Sequence, residues 1–279
     1  MAAAADALPV LSPKPYPAFV AATTYRRLEL KYWATELQAA ALLRLTKPHL
    51  ELDPYCLEGA QRNVSLYLDT PARSFYDAHL SSHPDRHKLR IRTYDEGAND
   101  GPAFLEVKRK VKAITAKCRV ITSRKLARAV VLGQFDEALA LAPDNRDLAE
   151  FVYLAQQYQV EPSLLIAANR LSLISADDGG QFRMTLDRDI RYQRPIGSHL
   201  QGSPGAWTPL DVWELNRDPS LVVMVEMKCA EYAPSWLAPV LSQLGLCRTS
   251  FSKYVASMTQ DSLDTDAWAP LVNNGDAGW

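Results

Sequence analysis

The chain of 279 residues is long enough to bury a sizeable core, and its 47% hydrophobic and 23% charged residues are typical of a soluble globular protein. The net charge of −1 gives no indication of a nucleic-acid partner, and no apolar run reaches the roughly 18 residues that a membrane helix needs. The four scattered cysteines form no C-x-x-C pair, which predicts a reducing, cytoplasmic environment.

The sequence of residues 1–22 predicts a flexible leader. The stretch MAAAADALPVLSPKP has no basic n-region and is interrupted by Asp6, Pro9 and Pro13, which argues against a signal peptide. The strand and helix signals that follow indicate one domain over residues 23–260. Residues 261–279 predict a C-terminal tail.

Strand signals dominate the first half of the domain. Each strand is predicted from a run with alternating apolar positions, and one amphipathic helix separates the first strand from the others. In chain order, these elements are a strand at 25–32, a helix at 34–45, and strands at 63–70, 88–95, 103–112 and 117–124.

Helices and strands alternate in the second half. Asp144 is the expected N-cap of one helix, and the turn Asp-Asp-Gly-Gly at 177–180 predicts a β-hairpin. In chain order, these elements are helices at 125–135 and 144–158, strands at 163–175 and 181–193, a Gly/Pro-rich loop at 194–207, a strand at 221–230, and helices at 234–245 and 250–258.

The stretch AFLEVKRKVK at 103–112 separates charged from apolar residues. Alternate side chains of a strand point to opposite faces, so Leu105, Val107 and Val111 share one face and the charged residues share the other. The same E-x-K spacing recurs in RLELKYW and MVEMKCA. The charged positions in these three stretches are Glu106, Lys108, Lys110 and Lys112, then Glu29 and Lys31, then Glu226 and Lys228.

Other strands repeat this pattern with mostly cationic residues. Lys88, Arg90 and Arg92 share one face, as do Lys117 and Arg119 on the next strand but one. One interpretation is a half-exposed antiparallel sheet with its charges in water. Like charges on neighbouring strands repel each other, so the pattern also fits a barrel with its cations inside, its apolar face under helices, and a polyanion or metal in its lumen.

At RNVSLYLDTP, KLRIRTYD, FLEVKRK and SFSKYV the sequence resembles the VTC domain, the polyphosphate polymerase module named after the vacuolar transporter chaperone complex. This family belongs to the triphosphate tunnel metalloenzymes. The resemblance implies an α+β fold, with an eight-stranded antiparallel β-barrel as the triphosphate tunnel and helices packed outside. It implies a phosphotransferase that adds the γ-phosphoryl group of ATP to inorganic polyphosphate, with Mn²⁺ or Mg²⁺ as cofactor.

The resemblance also implies roles for particular residues. Phosphate contacts that take part in catalysis would be Lys31, Arg90, Arg92, Lys108, Arg170 and Arg183. Further substrate contacts would be Lys117, Arg119, Lys228 and Lys253. The divalent metal would be held by Glu226 first, with Glu106 and Glu29 as further ligands.

The sequence departs from the family pattern in two respects. Many tunnel enzymes begin with E-x-E-x-K, whereas Arg27 precedes Glu29 and Lys31 here, so an early acidic metal ligand is missing. Eukaryotic polymerase subunits also carry an SPX domain before this module, and membrane helices after it or in partner subunits. A stand-alone prokaryotic-type member is therefore expected, in contact with a membrane only through a separately encoded partner.

Other roles and functions remain open at this stage. Glu106 and Glu226 could act as structural ion pairs that neutralise neighbouring lysines, and Lys253 could be solvated. A metal-dependent tripolyphosphatase or nucleoside triphosphatase of the same fold is an alternative to the polymerase, since a glutamate can activate water. A non-catalytic polyphosphate-binding module is another.

His79, His83 and His87 recur every four residues, a spacing that helical zinc ligands also show. Pro84 interrupts the helix that would align them, and the sequence suggests no fourth ligand. A zinc site is therefore not expected. No G-x-x-x-x-G-K-[ST] loop or G-x-G-x-x-G turn occurs either.

Overall fold

The structure is a computed structural model that describes residues 28–56, 59–94, 101–111, 114–175, 181–229 and 232–272. The predicted leader and the turn at 177–180 lie outside these residues, as does Lys112. None of the helices in the described ranges is both long and apolar enough to cross a membrane.

One antiparallel sheet forms the body of the fold. Eight strands follow one another in the order β1-β10-β8-β7-β3-β4-β5-β6, while β2 pairs with β7 and β9 pairs with β8. The strands are β1 Leu28–Ala34, β2 Leu50–Leu52, β3 Gln61–Asp69, β4 Arg86–Tyr94, β5 Pro102–Val111, β6 Ile114–Ser123, β7 Glu161–Ser175, β8 Arg183–Gln193, β9 Thr208–Pro209 and β10 Val223–Cys229.

Helices connect these strands, so the predicted α+β class is confirmed. The α-helices are α1 Glu36–Thr46, α2 Ser74–Leu80, α3 Arg124–Val131, α4 Phe135–Leu141, α5 Arg146–Gln157, α6 Val212–Asn216, α7 Leu237–Gln243 and α8 Lys253–Val272. Helix α5 is capped by Asn145, whose Oδ1 accepts from the backbone N–H of Leu148 at 2.9 Å, and not by the predicted Asp144.

The predicted closed barrel is wrong, because β1 and β6 form the two ends of the strand order and do not pair within the described residues. The free edge of β1 is instead taken by the segment after α7. Tyr32 bridges to Arg248, and the N–H of Thr249 donates to the carbonyl of Lys31 at 2.8 Å. The sheet nevertheless curls, since Lys108 Nζ on β5 lies 3.4 Å from Glu29 Oε2 on β1.

The convex face of the curled sheet is apolar and covered by helices. Leu66, Leu89, Leu105 and Val107 pack with residues of α3, α4 and α5, and Met184 belongs to a second cluster with residues of α1 and α7. These outward positions alternate with the charged ones along each strand. The helices therefore remove the apolar face from water and leave the charged positions on the concave face.

Helix α8 is an exception to the prediction that the helices lie outside. Its residues Tyr254 and Met258 pack against Trp33, Tyr67 and Met224, which lie on the concave side of their strands. This packing fills one end of the concave face, here called the closed end. The opposite end, where Leu28, Tyr94 and Arg183 lie, is called the open end.

Helix α8 also continues to Val272, into the segment predicted as a tail. Two contacts join the helical turn that follows Gln260 to distant parts of the chain. Arg194 Nη2 lies 3.1 Å from Asp261 Oδ2, and Arg73 Nη1 donates to Ser262 Oγ at 3.0 Å. Such long-range contacts stabilise a helix whose own sequence gave no sign of its length.

Asp69 fixes α8 and α2 to the closed end, and we expect Asp69→Ala to lower the free energy of unfolding by about 2 to 4 kcal/mol. Its carboxylate is fully buried and accepts from the N–H groups of Phe75 and Tyr76 at 2.8 and 2.9 Å, and from the hydroxyl of Tyr254 at 2.6 Å. Urea unfolding measures the change. Alanine at the exposed Glu51 is the control, and equal stability of the two variants would contradict this role.

Candidate anion-binding site

The concave face between α8 and the open end carries more cations than carboxylates. The cations come from seven strands and the start of α8, and the carboxylates lie between them. The cations are Lys31, Lys88, Arg90, Arg92, Lys108, Lys117, Arg119, Arg170, Arg183, Lys228 and Lys253, and the carboxylates are Asp53, Glu29, Glu106, Asp187 and Glu226. The structure thus brings every residue assigned to the site from sequence to one face, while the assigned roles stay predictions.

Two E-x-K stretches lie side by side on β1 and β10. In the register, Lys31 pairs with Glu226 and Glu29 pairs with Lys228. Acidic and basic side chains therefore alternate both along each strand and across the two strands. Lys31 Nζ lies 2.9 Å from Glu29 Oε1, and Lys228 Nζ lies 2.6 Å from Glu226 Oε1. Each carboxylate is therefore neutralised from its own strand.

Burial opposes ionisation of both glutamates, and their mutual repulsion raises the pKa of Glu29 further. Lys108 and Lys31 outweigh these effects and hold the pKa of Glu29 below its usual value. Lys228 is the strongest of the cations that hold the pKa of Glu226 well below its usual value. Both groups are thus carboxylates at neutral pH and carry negative charge into the site.

Glu106 on β5 is surrounded by cations. Its Oε2 lies 2.7 Å from Arg90 Nε and from Arg90 Nη2, and its Oε1 lies 3.0 Å from Lys117 Nζ and 3.5 Å from Arg119 Nε. Its burial favours the neutral acid, but Arg90 and Arg92 keep its pKa far below the usual value. Because Glu106 is 2% exposed and the cationic groups of Arg90, Lys117 and Arg119 surround its two oxygens, the geometry favours a neutralising role for Glu106 over metal binding.

Asp187 joins α8 to the site. Arg170 donates to it twice, from Nε and Nη2, at 2.6 Å each, and Lys253 Nζ lies 2.6 Å from its Oδ2. Arg183 and Arg188, which lie on the same strand as Asp187, pair with Asp53 at 3.0 Å and with Glu36 at 2.8 Å. The contact between Asp187 and Lys253 brings the SKY motif into the site.

Arg92 and Lys88 on β4 differ from the other cations, because neither forms an ion pair with a carboxylate of the described chain. Arg92 is 8% exposed and donates from Nε to Ser65 Oγ at 3.1 Å. Lys88 Nζ donates to Ser252 Oγ at 2.9 Å. A buried cation without a carboxylate partner is unfavourable, so we take Arg92, which is buried, and Lys88, which is half-buried, as candidate contacts for an anionic ligand.

Lys88 was not assigned to the site from sequence, although it shares the face of Arg90 and Arg92. Burial, and then repulsion from Lys31, Lys108 and Arg90, lower the pKa of Lys88 to about 7. The amine is therefore partly protonated and partly neutral at neutral pH. The signal that could have identified it was the same period-2 alternation that identified its neighbours.

Tripolyphosphate binding should weaken above pH 7, because a bound anion favours the ammonium form and the free amine must then take up a proton. We expect the dissociation constant to rise by up to about tenfold per pH unit through this group. Calorimetry at pH 6.5, 7.5 and 8.5 measures the slope. The Lys88→Met variant lacks the titrating amine, so the part of the pH dependence that Lys88 causes should disappear. Equal slopes of the dissociation constant against pH in the two proteins would contradict the role of Lys88.

Glu226 and Glu29 are suited to a divalent cation. They lie on neighbouring strands, near enough for each to influence the ionisation of the other, and both offer carboxylate oxygens. Hard cations such as Mg²⁺ and Mn²⁺ prefer carboxylate and phosphate oxygens. These two residues, with phosphate oxygens of a substrate, would hold the metal, which would neutralise charge on the phosphates.

A second group of metal-ligating atoms lies on the convex side, where Cys118 of β6 meets Asp147 and Glu150 of α5 within 4.8 Å. Burial, and then Asp147 and Glu150, raise the pKa of the Cys118 thiol. The thiol donates to the carbonyl oxygen of Asp147 at 3.4 Å. A protonated thiol is a poor ligand for Mg²⁺ or Mn²⁺, so this cluster is not part of the anion site.

The three histidines do not converge on a zinc site in the described residues. His79 Nδ1 lies 2.9 Å from the carbonyl oxygen of Phe75, His83 Nδ1 lies 2.9 Å from that of Asp85, and His87 packs against the ring of Tyr158. Burial, and then Lys88, lower the pKa of His79 to about 4. Each of the three rings thus contacts a different part of the chain.

The structure is thus a curled antiparallel sheet with helices on its convex face and more cations than carboxylates on its concave face. The family model described as the VTC domain matches residues 26–260. The chain therefore belongs to the VTC domain family, and the resemblance seen in the sequence motifs is confirmed.

The solved structures that match the chain have low sequence identity to it. A protein described as a candidate adenylate cyclase from Vibrio parahaemolyticus is 14% identical, with a TM-score of 0.41 over 82% of this chain and 96% of that chain. A candidate adenylyl cyclase from Hippeastrum, described as having a dominant triphosphatase activity, is 12% identical, with a TM-score of 0.46 over 84% and 96%. A candidate adenylate cyclase from Bacillus halodurans is 13% identical, with a TM-score of 0.45 over 81% and 93%. No curated protein matches the sequence significantly.

Proposed function

We propose that the protein is an inorganic polyphosphate polymerase that uses ATP and a divalent metal, Mn²⁺ or Mg²⁺, in its concave site. The single observation that carries the proposal is the pair of cations without carboxylate partners, Arg92 and Lys88, inside a VTC-family fold. A bound anion would compensate the positive charge of both side chains. A linear chain of phosphates supplies such charge along the whole face.

The reaction requires positioned charge more than covalent help from the protein. A terminal oxygen of the polyphosphate chain attacks the γ-phosphorus of ATP, the bond from that phosphorus to the β,γ-bridging oxygen breaks, and ADP leaves. The attacking terminus is already anionic at neutral pH, so no strong general base is needed. Arg90, Arg92 and Arg170 would orient phosphate oxygens through their planar guanidinium groups, and the lysines would add mobile charge.

A second candidate is a tripolyphosphatase or nucleoside triphosphatase. The observation that favours it is the packing of Tyr254 and Met258 of α8 into the closed end, which suits a short anion better than a long chain. In that case water, activated by a carboxylate such as Glu226, would replace the polyphosphate terminus as nucleophile.

Incubation with γ-labelled ATP, Mn²⁺ and a short polyphosphate primer separates these candidates. The polymerase should give a ladder of labelled polyphosphate on a gel together with ADP. Orthophosphate as the sole labelled product under every metal and primer condition would overturn the polymerase and support the hydrolase. Tripolyphosphate binding without any turnover would instead indicate a binding module. The expected cytoplasmic location and the separately encoded membrane partner remain predictions.

A further inference from the structure

Three apolar or aromatic side chains lie at the open end of an otherwise charged face. Tyr94 on β4, Phe104 on β5 and Ile121 on β6 occupy concave positions of adjacent strands, and Phe104 faces Ile121 directly in the register. The Tyr94 ring meets the Phe104 ring edge-on, with centroids 5.5 Å apart and an interplanar angle of 87°. The guanidinium of Arg119 lies 4.4 Å from the centroid of the Phe104 ring.

This group is open to solvent, unlike the apolar residues at the closed end. Ile121 is 68% exposed, and the Arg119 side chain is more than one third exposed. The helices pack on the convex side, and α8 fills only the closed end. An exposed isoleucine beside a stacked guanidinium–phenyl pair is a surface on which a flat, partly apolar ring can lie.

The position of this surface relative to the cations suggests its ligand. Alternate residues of a strand share one face and are about 6.6 Å apart. Along β5, Phe104 therefore lies one such spacing from Glu106, which pairs with Arg90 across the sheet, and two such spacings from Lys108. A triphosphate held along Lys108, Lys117, Arg90 and Arg92 would therefore direct its outer substituent towards Phe104 and Ile121. Purely electrostatic binding of phosphates would not require these two apolar residues.

We infer that Phe104, Arg119 and Ile121 form a nucleobase subsite, on which the base of a nucleoside triphosphate stacks while its phosphates occupy the cationic face. The inference rests on the proposed function. Bases stack favourably on aromatic rings and on guanidinium planes, and this stacking tolerates different bases because each has a π-face. Such a subsite would favour a nucleotide over inorganic tripolyphosphate as the phosphoryl donor.

Calorimetric dissociation constants for ATP and inorganic tripolyphosphate test the subsite. Phe104→Ala should weaken ATP binding by about tenfold or more and leave tripolyphosphate binding within about twofold. Ile121 is exposed and can be replaced without loss of folding, so Ile121→Trp serves as a second variant that should tighten ATP binding alone. Leu37→Ser, at an exposed apolar residue of α1 on the convex side, is the control and should change neither constant.

The possible outcomes separate the subsite from the proposed function. Equal weakening of both ligands in Phe104→Ala, or no change for ATP in either variant, would overturn the subsite and leave phosphate binding intact. Binding of tripolyphosphate but not of ATP by the unmodified protein would also overturn it. Binding of neither ligand by the unmodified protein would overturn the proposed function, and the subsite with it.

Discussion

Replacement of Arg92 by methionine should lower ATP-dependent phosphate turnover by about a hundredfold to a thousandfold while the free energy of unfolding stays the same or rises. Arg92 is buried, its charge is repelled by that of Arg90, and its Nε donates to the hydroxyl of Ser65. Burial and Arg90 both lower its pKa, which shows that the fold disfavours this charge. Methionine fills much of the same volume without the charge, so the cost of burying that charge beside Arg90 disappears.

Initial rates with ATP and Mn²⁺, together with urea unfolding of the same samples, measure the two effects. Arg44→Met is a matched control, because Arg44 is exposed on α1 and should affect neither quantity. A large loss of stability in Arg92→Met would mean that Arg92 supports the fold. Normal turnover in this variant would show that Arg92 does not contact the transferred phosphoryl group.

Glu226→Gln should have the second large effect, a fall in turnover of about a hundredfold or more at all Mn²⁺ concentrations. The amide keeps the shape of the side chain but loses the charge that would attract the metal. Tripolyphosphate should bind this variant at least as tightly as it binds the unmodified protein without metal, because one negative charge has left the site.

Rates measured over a range of Mn²⁺ concentrations, and tripolyphosphate binding without metal, test both parts of this expectation. Because Lys228 Nζ lies 2.6 Å from Glu226, unfolding must be measured in parallel to show that the variant is folded. Glu51→Gln on the exposed face of β2 provides the control. An unchanged rate and metal dependence in Glu226→Gln would remove this residue from the metal site.

Period-2 alternation made much of the concave face predictable from sequence. The positions of Glu106 and Lys108 on one face, and of Leu105 and Val107 on the other, follow from strand geometry alone once a strand is identified. The same reasoning would have placed Lys88 in the site, since it occupies the same face as Arg90. Local geometry was therefore sufficient to say which side chains share a surface.

Contacts between distant parts of the chain were not predictable in this way. Pairing of Arg248 and Thr249 with β1 decides how the edge of the sheet is completed, and nothing near β1 indicates it. The partners of Asp187 depend likewise on where α8 begins, because Lys253 reaches the aspartate only when α8 packs on the concave side. That Arg92 forms no ion pair with a carboxylate of the described residues depends on several strands at once, and we take this feature to distinguish an anion site from a face of matched ion pairs.

A crystal structure of the protein with tripolyphosphate would show directly whether the concave face binds a linear phosphate chain. We predict phosphate oxygens within hydrogen-bonding distance of Arg92, Arg170 and Lys88, with the anion lying between α8 and the open end. Tripolyphosphate bound only on the convex side, or a concave face without the anion at saturating concentration, would contradict this prediction.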